Sequence, residues 1–168
     1  MRILFLHGLE SKPGCEKVQY LESQGHVVHS PKLDYHDDRS YENLCTLTSH
    51  GNYDVIIGSS MGGWFAWNLG KELGVPVLLL NPALHSRSIE PIIGKWIGEF
   101  YTTSKVFLAL GRLDDIIDGD KTIEWLDDND HDDWEHDIMI QEYGHRTPVD
   151  IFESIFKHFE EDILKIKA

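Results

Sequence analysis

The stretch Asp54-Val55-Ile56-Ile57-Gly58-Ser59-Ser60-Met61-Gly62-Gly63-Trp64 holds the residues best suited to chemistry. Ser60 stands at the centre of Gly-x-Ser-x-Gly, directly after an apolar strand-like run and directly before a helix-like one. A nucleophilic serine on a sharp strand-to-helix turn needs small residues two places before and after it, because the backbone packs tightly there. The amide of Met61, at the helix start, would then point toward a developing oxyanion. Gly63 would add room for the helix to approach the strand. With glycine at roughly 7% of residues, a chain of this size carries the bare pattern by chance about 5% of the time, so the weight rests on its context.

A serine hydroxyl is a poor nucleophile without a base, and the base needs an orienting acid. On a parallel sheet carrying such a turn the chain order is serine, acid, histidine, with the last two on loops after later strands. The loop after the fifth predicted strand reads Leu110-Gly111-Arg112-Leu113-Asp114-Asp115-Ile116-Ile117-Asp118. The loop after the sixth reads Glu142-Tyr143-Gly144-His145-Arg146-Thr147-Pro148. Asp114 is assigned as the acid, with Asp115 and Asp118 open as alternatives, and His145 as the base. Among the other histidines, His131 and His136 precede the sixth strand, His158 falls inside the last helix and His85 breaks the order. The first strand ends Phe5-Leu6-His7-Gly8-Leu9, and the loop there supplies a second oxyanion amide, assigned to Leu9. His7 precedes the serine and is expected to hold this loop by hydrogen bonding.

These loops need a scaffold, and the hydrophobic pattern supplies one. Strands are predicted at Arg2–His7, His26–Ser30, Asp54–Gly58, Val75–Leu80, Lys105–Leu110 and Asp137–Gln141. Runs such as Val77-Leu78-Leu79-Leu80 are apolar throughout, as strands covered on both faces are. Helices are predicted at about Cys15–Ser23, Tyr41–Ser49, Met61–Leu73, Lys121–Asp127 and Pro148–Lys165. Gly74 is placed as the stop of the third. In the last, Thr147 is the expected cap, with Pro148 at the first position and Asp150 completing Thr-x-x-Asp. Phe152, Ile155, Phe156, Phe159, Ile163 and Ile166 follow a helical period beyond it. Strands alternating with helices make a single α/β domain with a mostly parallel sheet of about six strands. Residues 82–104 break that rhythm. Trp96, Phe100 and Tyr101 within them could wall the site as a small lid insertion, or the segment could be a loop packed on itself.

With 168 residues, 41% hydrophobic and 26% charged, the chain is an ordinary globular domain. Its 15 Lys+Arg against 29 Asp+Glu give a net charge of −14, which repels nucleic acid and anionic membranes. From Asp114 to Asp137 twelve acidic residues and one basic, Lys121, hold −11 of that charge. Within it, Asp128-Asn129-Asp130-His131-Asp132 alternates oxygen ligands like a calcium loop. Asp133 at the sixth position and Met139 at the twelfth fail the pattern, which leaves a solvated acidic face. Cys15 and Cys45 have neither metal nor disulfide spacing. No apolar run approaches the roughly 18 residues of a membrane span, and no signal peptide is evident. A reduced, cytoplasmic protein is expected.

Four segments together resemble a known family: Leu6-His7-Gly8-Leu9-Glu10-Ser11, Gly58-Ser59-Ser60-Met61-Gly62-Gly63, Leu80-Asn81-Pro82-Ala83 and Asp114-Asp115-Ile116-Ile117-Asp118. They are similar to the small bacterial YqiA/YcfP-like esterases of the α/β-hydrolase superfamily. The resemblance implies a compact α/β-hydrolase sheet and a Ser60, Asp114, His145 triad. It also implies hydrolysis of a small carboxylic ester or acyl thioester without a cofactor. A peptidase or amidase on the same scaffold, and a non-catalytic binding protein that keeps the fold, remain the alternatives.

Overall fold

The computed structural model describes residues 1–94, 105–129 and 135–167. Its elements alternate as β1 (Arg2–Leu6), α1 (Glu16–Ser23), β2 (Val27–His29), α2 (Ser40–Thr48), β3 (Val55–Ser59), α3 (Met61–Leu73), β4 (Val77–Leu80), β5 (Lys105–Gly111), α4 (Gly119–Asn129), β6 (Glu135–Gln141) and α5 (Val149–Lys167). Each lies where its hydrophobic period places it, with ends shifted by a few residues. α4 starts earlier than its apolar pattern because Asp118 caps it, its Oδ1 accepting from the amides of Asp120 and Lys121. α3 stops at Gly74, whose φ of 63° is the left-handed conformation that glycine adopts without strain.

The strands form one six-stranded sheet in the order β2-β1-β3-β4-β5-β6, and every neighbouring pair is parallel. Alternate residues feed two cores. Leu4, Leu6, Ile56, Val77, Leu79, Val106 and Leu108 pack with Leu44 of α2, Phe65 and Leu69 of α3 and Leu126 of α4. Ile3, Phe5, Val55, Ile57, Leu78, Leu80 and Phe107 pack on the other face with Leu21 of α1 and Phe152, Phe156 and Phe159 of α5. Burial on both faces is why these strands are apolar at every position.

Two expectations need correction. Thr147 does not cap α5. Its buried hydroxyl makes no hydrogen bond to the first-turn amides and lies against the Tyr143 phenol, and the carbonyl of Pro148 opens the helix by accepting from Phe152. The space beside Gly63 is filled by Pro82, which an added Cβ would meet at 2.5 Å, more than by the strand backbone, whose Gly58 oxygen is 3.5 Å away. Residues 81–94 contain neither helix nor strand. The proposed wall of Trp96, Phe100 and Tyr101 lies outside the described residues, as does the centre of the acidic loop.

One ion cluster locks the far end of the sheet. Lys105, at the start of β5, has 10% side-chain exposure and pairs with Asp137 of β6 at 2.9 Å and with Asp162 of α5. The hydrogen bond from Lys105 holds the Asp162 carboxyl below the ordinary aspartate range. A depressed carboxyl contributes stability above its unfolded pKa of about 4, lost as pH falls through the lower folded value. Asp162→Asn is therefore expected to cost about 1–3 kcal/mol at neutral pH, with the difference from wild type shrinking toward pH 3. Denaturant unfolding at the two pH values checks this, and an equal loss at both would contradict it.

Candidate active site

β3 runs directly into α3 at Ser60, whose φ of 52° and ψ of −117° lie in strained backbone territory for a residue with a side chain. The strain is enforced by neighbours. Ser60 donates its amide to Leu80 of β4 and accepts at its carbonyl from Gly63 and Ala83. A Cβ on Gly62 would fall 2.1 Å from the Leu6 carbonyl oxygen, and one on Gly58 2.3 Å from that of Gly62. Only hydrogen fits at either place, so the small flanking residues let β1, β3 and α3 meet. The hydroxyl of Ser60 makes no capping bond to α3. The amide of Met61 opens that helix, where N–H groups have no intrahelical acceptor.

The Ser60 Oγ lies 3.0 Å from Nε2 of His145, and Nδ1 of the same ring lies 2.8 Å from Oδ2 of Asp114. The three side chains come from the ends of β3, β5 and β6, and a parallel sheet delivers all three ends to one edge. Asp114 has 1% side-chain exposure. Its Oδ1 accepts from the amides of Ile116 and Ile117, both at 2.9 Å, so the second oxygen is aimed at the histidine by the turn that follows it. Of the alternatives, Asp115 is exposed and Asp118 is occupied as the cap of α4. The two loops touch closely, with Leu113 donating to the Tyr143 carbonyl and Arg112 to that of Gln141. Burial pushes the Tyr143 phenol up to about 12, so a neutral hydroxyl underlies this junction.

The remaining histidines are placed elsewhere. His85 contacts the Thr122 hydroxyl at 3.0 Å, His158 packs on Phe107, His136 is in β6, and His131 lies outside the described residues. His7 is a clamp. Its Nε2 accepts from the Leu33 amide at 3.0 Å, which leaves Nδ1 as the protonated nitrogen, donating to the Gly8 carbonyl at 2.8 Å. Tyr35 donates its hydroxyl to the His7 carbonyl. Gly8 comes close to the serine, since a Cβ there would meet Ser60 Cβ at 3.4 Å. Gly8 and Leu9 line a cavity of about 570 Å³ with Ser60, Met61 and His145.

Asn81 belongs to the site although its residue type does no chemistry. It is 1% exposed and has φ 41°, one of two non-glycine residues with positive φ among the described residues. Its Nδ2 donates to the carbonyls of Gly144 and His145 at 3.1 and 2.9 Å, and its Oδ1 accepts from the Gly111 amide at 2.7 Å. One side chain therefore ties the end of β4 to both loops that carry Asp114 and His145. The signal available in the sequence was Asn-Pro directly after a buried strand, where asparagine tolerates the left-handed conformation better than other residues.

The solved structures similar to the chain share this architecture. An esterase of Pyrococcus furiosus, Pf2001, is 17% identical with a TM-score of 0.68, over 98% of this chain and 82% of that one. Mouse alpha/beta hydrolase domain-containing protein 10 is 14% identical with a TM-score of 0.70, over 99% and 90%. An alpha/beta-superfamily protein of Xanthomonas campestris pv. campestris is 19% identical with a TM-score of 0.65, over 98% of each chain. At such identities the likeness concerns the fold, which is that of the α/β hydrolases. No curated protein matches the chain. A family model does match residues 2–107, which take in β1, the Ser60 turn and Asn81 but stop short of Asp114 and His145. On that match the chain belongs to the uncharacterised protein family UPF0227, the YqiA-like family.

Proposed function

We propose that the protein is a single-domain serine hydrolase that cleaves a carboxylic ester or acyl thioester through an acyl-enzyme. The observation that carries this reading is the hydrogen-bonded line from Ser60 through His145 to the buried Asp114. The kinship in fold with an esterase of P. furiosus supports it. In this reading His145 Nε2 takes the Ser60 proton as Oγ attacks the acyl carbonyl. The amides of Met61 and Leu9 stabilise the tetrahedral oxyanion, and Asp114 holds the imidazolium in orientation. His145 then returns the proton to the leaving alcohol or thiol. Water, deprotonated by the same histidine, releases the acid and restores the serine.

Fluorophosphonate labelling of wild type and Ser60→Ala, read by intact mass with short and medium p-nitrophenyl esters assayed alongside, tests this. One adduct on wild type, none on the variant, and ester turnover by wild type alone is the expected result. Wild-type protein that neither labels nor turns over esters would overturn the proposal.

A further inference from the structure

The cavity beside Ser60 is the exception in an acidic protein. The chain carries a net charge of −14, yet this cavity is lined by Lys17, Arg87 and Arg146 against a single carboxylate, Glu10. Arg87 is already committed. It pairs with Glu90, donates to the carbonyls of Ala83 and Leu84, and stacks its guanidinium 4.0 Å above the Trp64 ring. Lys17 and Arg146 differ. Neither side chain makes a hydrogen bond or an ion pair among the described residues; those of Lys12, Lys32, Lys121 and Lys157 make none either, but Lys17 and Arg146 are the two that line the cavity holding Ser60.

Their positions bear on the reaction. Lys17 is in the first turn of α1, on the chain that leaves the Gly8–Leu9 loop, and Arg146 directly follows His145. Lys17 is half-buried, and burial pushes its ammonium below the ordinary lysine value. The neighbouring Cys15 and Glu16 draw it up, and the Arg146 guanidinium pushes it down. Two cations lining one cavity, one of them partly desolvated and neither paired with a carboxylate, favour the entry of an anion. A guanidinium beside an ammonium is also a fitting donor set for the oxygens of a carboxylate or phosphate.

We propose that the cavity takes an ester or thioester bearing a second, anionic group, a carboxylate or phosphate, seated between Lys17 and Arg146 while the scissile carbonyl meets Ser60. This rests on the hydrolase reading above. The anion gives the substrate a fixed orientation, and it gives an acidic protein a local field that draws a negatively charged substrate to the site.

Two matched pairs of esters test the proposal. One compares mono-p-nitrophenyl glutarate with p-nitrophenyl pentanoate, which places the charge on the acyl side. The other compares 3-carboxy-4-nitrophenyl acetate with p-nitrophenyl acetate, which places it on the leaving group. In wild type the anionic member of one pair is expected to win in kcat/KM by about fivefold for each cation at low ionic strength, with the gain residing in KM and fading with salt. The pair that shows the gain identifies which side of the ester carries the charge. In the Lys17→Gln, Arg146→Gln double variant the anionic-to-neutral ratio is expected to collapse to that of the free esters in base. Both esters are read on one sample, so any loss of folded protein cancels from the ratio. Turnover of neutral esters that depends on Ser60, with no anionic preference in either pair, overturns the subsite and leaves the hydrolase reading standing. So does a preference that survives the double variant. Absence of all turnover together with absence of fluorophosphonate labelling removes both.

Discussion

Ser60→Ala is expected to lower ester turnover by about 10⁵-fold and Asp114→Asn by about 10⁴-fold, with the double variant little worse than Ser60→Ala alone. The aspartate result follows from the turn around it. Asp114 Oδ1 accepts two amides, from Ile116 and Ile117, so an asparagine there keeps its oxygen on that side. Its NH2 group is then directed at His145 Nδ1, where Oδ2 now accepts. Nδ1 must become the acceptor, the ring proton moves to Nε2, and the nitrogen facing Ser60 loses its capacity to act as base. The geometry survives and the tautomer is wrong. Asp115→Asn and Asp118→Asn serve as comparisons expected near wild type, the first because that side chain is exposed, the second because asparagine caps a helix as well as aspartate. Steady-state kinetics on p-nitrophenyl butyrate, with unfolding midpoints measured in parallel, decide it. Retention of activity within about tenfold by Asp114→Asn would move the acid elsewhere.

Gly62→Ala is expected to destabilise the protein by more than about 4 kcal/mol, enough to deplete the folded state. The added methyl would sit 2.1 Å from the Leu6 oxygen, 2.6 Å from the Leu6 carbon and 2.7 Å from the His7 oxygen. All three are backbone atoms, so no rotamer change relieves the overlap. β1 cannot retreat either, since it is hydrogen-bonded to β2 on one side and β3 on the other. Gly94→Ala is the matched control, because a Cβ there meets no described residue within 4 Å. Denaturant midpoints of the two variants separate a steric cause from a general intolerance of alanine. Similar midpoints for both would contradict the steric account.

How much of this was legible in the sequence depended on how local the signal was. The strands and helices follow from runs and periods a few residues long, and the Ser60 turn from five consecutive positions. The loops bearing Asp114 and His145 were found by order along the chain, an indirect form of spatial information. Contacts between distant segments left no such trace. The role of Asn81 depends on partners 30 to 64 residues away, and that of His7 on Leu33, 26 residues on. The strand order places β1 between β2 and β3, which hydrophobic patterning does not encode. Thr147 shows the opposite failure. A correct local pattern, Thr-x-x-Asp before a helix, lost to the packing of that hydroxyl beside Tyr143.

The all-parallel sheet also divides the molecule's perimeter by tolerance. Every strand leaves on the side where Ser60, Asp114 and His145 gather, and α1, α2 and α3 return the chain to the opposite side through the turns Gln24–His26, Ser49–Asp54 and Gly74–Pro76. The amino terminus lies there too, its amine 3.2 Å from His26 Nδ1. None of those turns lines the cavity that holds Ser60 and His145. A fluorophore, immobilisation tether or peptide insertion belongs on that side, where a change in the chain is separated from the Ser60 cavity by the length of the strands.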